Sequence, residues 1–367
     1  MTVVGVIGGG QLARMMIGPA IELGLELRVL AETDNSSARD RATSVGDYHN
    51  LETVMKFARD VDVITFDHEH VPTDIVRELE NSGIAVHPGS AALAVAQDKI
   101  VMRQRLTALG HPVPDWVVAL SPDDVAEFLS SHGGRAVAKL PRGGYDGKGV
   151  TVISDPADVA AWLDAGPVLV EELVEFSREL AQLVARRPNG DTAAWPVVET
   201  TQVNGVCAEV ILPAPASDAR LADDAAELGR AIAEGLGVTG VLAIELFETR
   251  DGRLLINELA MRPHNSGHVT IEGSTTSQFE QHLRAITDMP LGSTESRHPW
   301  AVMVNVFGAM ELDGYDRMDP LSGVKVHNYG KDARAGRKVG HVTATGTDAA
   351  DTASRARAVA EIFSTDI

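Results

Sequence analysis

The N-terminal residues 2–7 form an apolar run, followed by Gly8-Gly9-Gly10 and an amphipathic stretch over 11–23. This pattern predicts a short buried strand, a tight turn and a helix disturbed at Gly18-Pro19. Further apolar runs at 26–30, 61–66 and 85–87 read as strands, the last stopped by Pro88. Strands alternating with helical patterns imply a parallel, doubly wound sheet, here a Rossmann-like unit over residues 1–96.

A second unit is expected over 97–295. It opens with a helix at 99–109, which Gly110-His111-Pro112 ends. Strands at 117–120, 136–140, 149–153 and 168–171 alternate with helices at 122–132 and 156–165. These form a small lid within residues 115–174. A strand-rich part follows. Runs at 196–203 and 206–212 flank Asn204-Gly205, a strong hairpin signal. A helix at 219–236 precedes runs at 241–248 and 253–259, which flank Asp251-Gly252, and a helix covers 277–287. The remainder, 296–367, reads as short strands plus one helix at 348–363. It forms a small β-rich unit packed on the central part. The class expected is α/β and α+β.

Composition narrows the chemistry. The chain has 367 residues, 44% hydrophobic and 23% charged, with a formal net charge of −20. Such a charge repels nucleic acid and anionic membranes. No apolar run is long enough for a membrane-spanning helix. Cys207 is the single cysteine, which excludes an internal disulfide framework and a multi-cysteine zinc site. A cytoplasmic location is expected.

Four constellations carry candidate chemistry. Gly8-x-Gly10-x-x-Ala13 with Glu32 at the end of the second strand satisfies a dinucleotide fingerprint, so an NAD-dependent oxidoreductase stays open. The run Gly143-Gly144-Tyr145-Asp146-Gly147-Lys148-Gly149 leaves backbone amides free to wrap phosphate, or is a flexible hairpin tip. It is not a Walker loop, because its spacing is one residue short and Gly149 replaces the magnesium-binding hydroxyl. Lys139 interrupts an apolar strand and needs an anionic partner. Glu171, Glu172 and Glu179 follow the next strand, placed to hold purine and ribose hydroxyls.

In the third constellation, a two-residue turn at Asp251-Gly252 sets Glu245 directly opposite Glu258. Facing carboxylates on one sheet face call for a cation between them, and magnesium takes one or two carboxylates plus phosphate oxygens. The alternative is two exposed glutamates with surface lysine partners. Fourth, Arg262, His264, Asn265, Ser266 and His268 emerge within seven residues at a strand end, either as a site or as a self-satisfied loop. A basic run, Lys325, Lys331, Arg334, Arg337 and Lys338, invites an anion in so acidic a chain.

These motifs in this order resemble the ATP-grasp superfamily and, within it, the N5-carboxyaminoimidazole ribonucleotide synthetases. The match rests on the runs at 8–15, 65–72, 143–149, 277–286 and 336–341, and most of all on 255–268. The resemblance implies an ATP- and magnesium-dependent ligase of purine biosynthesis. It would make carboxyphosphate from bicarbonate and transfer the carboxyl group to aminoimidazole ribonucleotide. It also implies residue roles. Lys99 and Lys139 would touch the nucleotide, with residues 143–149 as a lid over its phosphates. Glu171, Glu172, Leu173 and Val174 would hold the adenine edge and Glu179 the ribose, Asn257 and Glu258 would also touch the nucleotide, and Glu245 and Glu258 would carry magnesium. Glu69, Tyr145, Asp146 and Lys148 would face the ribonucleotide, with Asp146 taking the amine proton. Arg262, His264 and Asn265 would hold bicarbonate or carboxyphosphate, and Lys331, Arg337 and Lys338 the substrate's anionic groups. The family is commonly dimeric, so a homodimer is expected.

Two positions depart from the pattern. Ala260 stands where many ATP-grasp enzymes carry a metal-binding asparagine, and Met261 where a proline is expected. The remaining rivals are a sibling such as the formate-dependent glycinamide ribonucleotide transformylase, which the 331–341 run opposes, and a nucleotide-sensing module without turnover, which Lys139, Glu245 and Glu258 oppose.

Overall fold

The computed structural model describes residues 1–144, 148–310, 313–319 and 323–364. Among these the strands form three sheets, of five, nine and four strands. The first contains β1 (Val3–Ile7), β2 (Glu26–Ala31), β3 (Ala42–Val45), β4 (Val63–Phe66) and β5 (Ala85–Val86), all parallel, in the order β3-β2-β1-β4-β5. Helices α1 (Gln11–Glu22), α2 (Leu51–Ala58), α3 (Thr73–Asn81) and α4 (Ser90–Gln97) connect and flank it. Every residue of β4 is buried, as an inner parallel strand requires. The expected disturbance at Pro19 does not break α1. Proline forfeits one amide hydrogen bond, and so near the C-terminal end of the helix few further bonds depend on it.

The second sheet is antiparallel and follows α5 (Lys99–Ala108), whose first turn is capped by Asp98. Its strands are β6 (Trp116–Ala119), β7 (Ala136–Lys139), β8 (Val150–Ile153) and β9 (Val168–Glu172), in the order β6-β9-β7-β8. Helices α6 (Pro122–Ser131) and α7 (Ala160–Ala165) lie between strands. A 3-10 turn, Pro156–Val159, takes the first part of the helix expected over 156–165.

The large sheet uses β10 (Phe176–Arg186), β11 (Thr192–Ala194), β12 (Val198–Val203), β13 (Val206–Leu212), β14 (Gly240–Thr249), β15 (Leu254–Ala260), β16 (Trp300–Gly308), β17 (Lys325–Asn328) and β18 (Arg334–Gly346). Around it lie α8 (Ala219–Gly235), the short α9 (Thr270–Gly273), α10 (Gln278–Ile286), the short α11 (Gly314–Arg317) and α12 (Ala349–Phe363). The β12–β13 turn follows expectation, with Asn204 and Gly205 both at positive φ between the paired Val203 and Val206.

Two expectations need correction. The final segment carries long strands, nine residues in β16 and thirteen in β18, not short ones. Strand β16 pairs with β13, so this segment extends the central sheet. Strand β10 has no counterpart in the sequence reading, although it pairs with both β12 and β14. Its Glu179-Leu-Ala-Gln-Leu183 core consists of helix formers, and burial between two strands overrides that propensity.

Helix α10 ties the units together. Its Phe279, Leu283 and Ile286 share a core with Leu12 and Met16 of α1. Its His282 links β4 to β14: Nε2 lies 2.8 Å from Thr65 Oγ1, and Nδ1 accepts the Val241 amide at 3.0 Å. Burial holds this imidazole neutral, with its pKa pushed down to about 3.

Candidate active site

The three sheets line a cavity of about 1030 Å³. Strands β14 and β15, at the edge of the large sheet, form its floor. Glu245 and Glu258 are paired across them, as the sequence predicts, but by a different route. The connection is a three-residue loop, since Thr249 N donates to Arg253 O and Gly252 sits at φ +79°. This shifts the register by one residue from that of a two-residue turn. A bulge at Asn257 then shifts it back, so the two glutamates still face each other.

The bulge aims Asn257 into the cavity. Its Oδ1 accepts from Lys139 Nζ at 3.0 Å, and its Nδ2 lies 3.4 Å from Glu245 Oε2. Lys99 Nζ sits 2.5 Å from Glu258 Oε1. Glu245 instead has His264 Nε2 and Asn257 Nδ2 at 3.4–3.5 Å. Burial, and then the charge of Glu258, push its pKa up to about 7. A facing pair with one carboxyl already reluctant to ionise is a donor set that fits a divalent cation. Met261 is fully buried in the core beneath, so the position where proline is expected is held by packing.

Behind the floor lies a buried triad that the sequence reading only half anticipates. Glu171 is the anion that Lys139 requires, with Lys139 Nζ 2.6 Å from its Oε2. The same carboxylate accepts from Arg103 Nε, and Arg103 Nη2 donates to the Asn257 carbonyl at 2.7 Å. Burial alone would raise the Glu171 pKa, but Lys139 and Arg103 outweigh it and lower it. Its side chain is thus committed to two cations, Lys139 and Arg103. Glu172, Leu173, Val174 and Glu179 line the cavity, beside Phe247, which the sequence does not single out. Gly143, Gly144 and Lys148 line it from above. Tyr145, Asp146 and Gly147 lie outside the described residues.

At the other end, Arg262 Nε lies 2.8 Å from Glu69 Oε1. Gln97 braces Glu69 by donating to its carbonyl at 2.8 Å and to that of Val71 at 2.7 Å. His264 Nε2 lies 3.5 Å from Glu245 Oε1, and its Nδ1 lies 2.9 Å from Ser266 Oγ. Burial, then Arg262 and Lys338, lower the His264 pKa to about 3, so it is neutral. Asn265 lines the cavity, but its amide is engaged in two hydrogen bonds with Asn305. Lys331, Arg334, Arg337 and Lys338 complete the wall. Lys331 Nζ meets Gln11 Oε1 at 2.5 Å, and Arg14 and Arg39 bind the Asn328 and Gly330 carbonyls, so this segment is docked on the first unit.

The glycine turn at 8–10 is occupied by the chain's own acidic side chains. Glu32, the acid of the fingerprint, accepts from the Gly9 amide at 2.9 Å and lies 3.1 Å from His68 Nε2. Burial would raise its pKa, yet these hydrogen bonds hold it at about 2. Asp67 accepts from the Ala13 amide at 2.7 Å, so an acidic side chain already fills the helix N-terminus where the fingerprint places a pyrophosphate.

Comparison with known proteins agrees with this geometry. Residues 1–97 match the ribonucleotide synthetase preATP-grasp domain, 104–279 the ATP-grasp domain, and 301–355 the phosphoribosylaminoimidazole carboxylase C-terminal domain. The chain is 48% identical to the N5-carboxyaminoimidazole ribonucleotide synthase of Mycobacterium tuberculosis, over 98% of this chain and 87% of the relative. It superposes on the N5-carboxyaminoimidazole ribonucleotide synthetase of Thermus thermophilus with a TM-score of 0.90 and 33% identity, covering 99% of each chain. The Aspergillus clavatus enzyme, solved with ADP and 5-aminoimidazole ribonucleotide, gives 0.88 and 30%, with 98% of each chain covered. Identity this high over nearly the full length, with three domain families in one order, means that the chain belongs to the N5-carboxyaminoimidazole ribonucleotide synthase family of ATP-grasp enzymes.

Proposed function

We propose that this chain uses ATP and bicarbonate to carboxylate 5-aminoimidazole ribonucleotide on its exocyclic amine, releasing ADP and phosphate. The observation that carries this is a single cavity. It joins the glutamate pair and the lysines at one end to Glu69, Arg262, His264 and the basic run at the other. The nucleotide lies over β9 and the floor, with Lys99 and Lys139 toward its phosphates. Glu245 and Glu258 would hold magnesium, which when bound offsets the charge of the transferring phosphoryl group.

A bicarbonate oxygen attacks the γ-phosphorus and ADP leaves, giving carboxyphosphate. Arg262 supplies a fixed cation for this anion, and neutral His264 supplies a ring nitrogen without charge. The ribonucleotide amine then attacks the carboxyl carbon, or carbon dioxide released from it, and phosphate departs. The amine proton goes to Asp146. Lys331, Arg337 and Lys338 hold the ribonucleotide phosphate and the leaving phosphate, where the field of the acidic chain alone would repel them.

ADP release should therefore require both bicarbonate and the ribonucleotide. A charge-assisted hydrogen bond contributes about 1.5–3 kcal/mol, so Lys331→Ala or Arg337→Ala should raise the ribonucleotide KM roughly tenfold to a hundredfold. The ATP KM should hardly move. Lys338→Ala should also lower kcat. If all three variants shift only the ATP dependence, the basic run serves the nucleotide and the substrate assignment fails. The assembly we assign is a cytoplasmic homodimer, on the family resemblance and the single buried cysteine. Light scattering should give twice 39.0 kDa, and a monomer mass would refute it.

A further inference from the structure

Gln278, the first residue of α10, is wholly buried, and the reaction described above does not use it. Its side-chain amide is spent on the loop that carries His264. Oε1 accepts the His264 backbone N–H at 2.8 Å, and Nε2 donates to the His264 carbonyl at 2.8 Å. The same Nε2 lies 2.9 Å from His268 Nδ1. One amide thus takes both backbone groups of a single residue, as a neighbouring strand would, and fixes the peptides on either side of it.

The loop is pressed onto this amide. A Cβ at Gly267 would lie 2.1 Å from Gln278 Oε1 and 2.4 Å from Leu183, so only glycine fits. The amide is in turn anchored to the frame. Four residues along α10, His282 is held by Thr65 of β4 and the Val241 amide of β14. Ser277 caps the helix through the Glu280 amide. A rigid line therefore runs from two sheets, through α10, to the His264 backbone. His264 in turn presents Nε2 3.5 Å from Glu245.

We infer that Gln278 is a positioning residue: it sets the His264 loop so that the imidazole and the neighbouring Arg262 face the acyl-phosphate end of the cavity. The inference rests on the function proposed above, and it predicts which substrate should feel the loss. Bicarbonate, the smallest ligand, depends most on fixed groups, whereas ATP and the ribonucleotide have many other contacts.

The test is steady-state kinetics on Gln278→Met and Gln278→Glu with each of the three substrates varied in turn. Met keeps the volume and loses every hydrogen bond. The bicarbonate KM should rise roughly tenfold, as expected for losing one or two buried hydrogen bonds, with the ATP and ribonucleotide KM values unchanged within about twofold. Glu keeps the acceptor for the His264 amide but turns an oxygen toward the His264 carbonyl. It should shift bicarbonate in the same direction, and thermal melts of both variants establish that each is folded before its KM values are compared. A purely structural role would lower thermal stability and kcat while leaving all KM values alone, or move all three together, and either result overturns the inference. Wild-type protein that releases no ADP in response to bicarbonate and ribonucleotide would instead remove the functional reading, and this inference with it.

Discussion

Glu245→Gln and Glu258→Gln should each cut turnover by about a thousandfold or more, while the metal-free protein loses no stability. Metal-ion stabilisation of transferring charge is worth several kcal/mol, which sets this scale. The two variants should differ in how stability depends on pH. The Glu245 pKa is raised in the folded protein from 4.5 to about 7, by burial first and Glu258 second. A raised carboxyl pKa favours the fold while the group is protonated, and that advantage disappears as pH rises from 4.5 through 7. Above pH 7 the wild-type fold carries a charge that Gln lacks, so Glu245→Gln should be the more stable protein there. The gain should be about 1–2 kcal/mol once screening is allowed for, because the side chain is 32% exposed. Near pH 4.5 the gain should vanish. Glu258→Gln should gain less, because it strips Lys99 of its partner. Thermal melts in chelator across this pH range, beside steady-state turnover with magnesium, decide the matter. Full activity in either variant would end the metal assignment.

The facing glutamates also show how a sequence can point to the right pair for an incomplete reason. A two-residue turn at Asp251-Gly252 and the observed three-residue loop differ by one residue in register, and such a slip would send every side chain to the other face. The bulge at Asn257 cancels the slip. Bulges leave little trace in a hydrophobic pattern, so the position of the turn was legible, but its length and the bulge were not. Burial hid other parts. Arg103 lies in a helix whose sequence, Lys-Ile-Val-Met-Arg-Gln-Arg, reads as ordinary amphipathic surface. Only the fold shows it wholly buried against Glu171. Lys139 was legible because a lysine in a short apolar strand is an anomaly on its face, but its partner was not: Glu171 read as a residue of the adenine edge, and only the pairing of β7 with β9 brings the two together. Strand β10 was hidden by its helix formers. Gln97 and Gln278 were invisible for a simpler reason: a glutamine in a helix carries no signal of which backbone it will clasp.

Glu171→Gln should be among the most destabilising single changes at the site, and ATP should repair much of the damage. In the folded protein this carboxylate, 2% exposed, is shared by Arg103 and Lys139. Replacing it with a neutral amide leaves two cations side by side out of water. Removing one member of a buried ion network typically costs about 3–5 kcal/mol, because the partners keep their desolvation penalty. At about 2–4 °C per kcal/mol for a domain of this size, the thermal midpoint should fall by roughly 10 °C. The pH dependence follows from the direction of the shift. The folded-state pKa of Glu171 is depressed, since its cations outweigh burial. Its contribution is therefore present above the unfolded carboxylate pKa and is lost as pH falls through the lower folded value. The gap between wild type and variant should be full near neutral pH and shrink in acid. Burial already lowers the Lys139 pKa, with Glu171 opposing that and Arg103 adding to it. Without Glu171, Lys139 should lose its proton more readily. Phosphate groups placed over Lys139 would supply the missing anion. The rise in midpoint on adding magnesium and ATP should then be larger in Glu171→Gln than in the wild type, because a ligand that binds only the folded state stabilises it by an amount that grows with the logarithm of its affinity. A smaller rise in the variant would mean that the phosphates do not reach Lys139, and the nucleotide would have to lie elsewhere in the cavity.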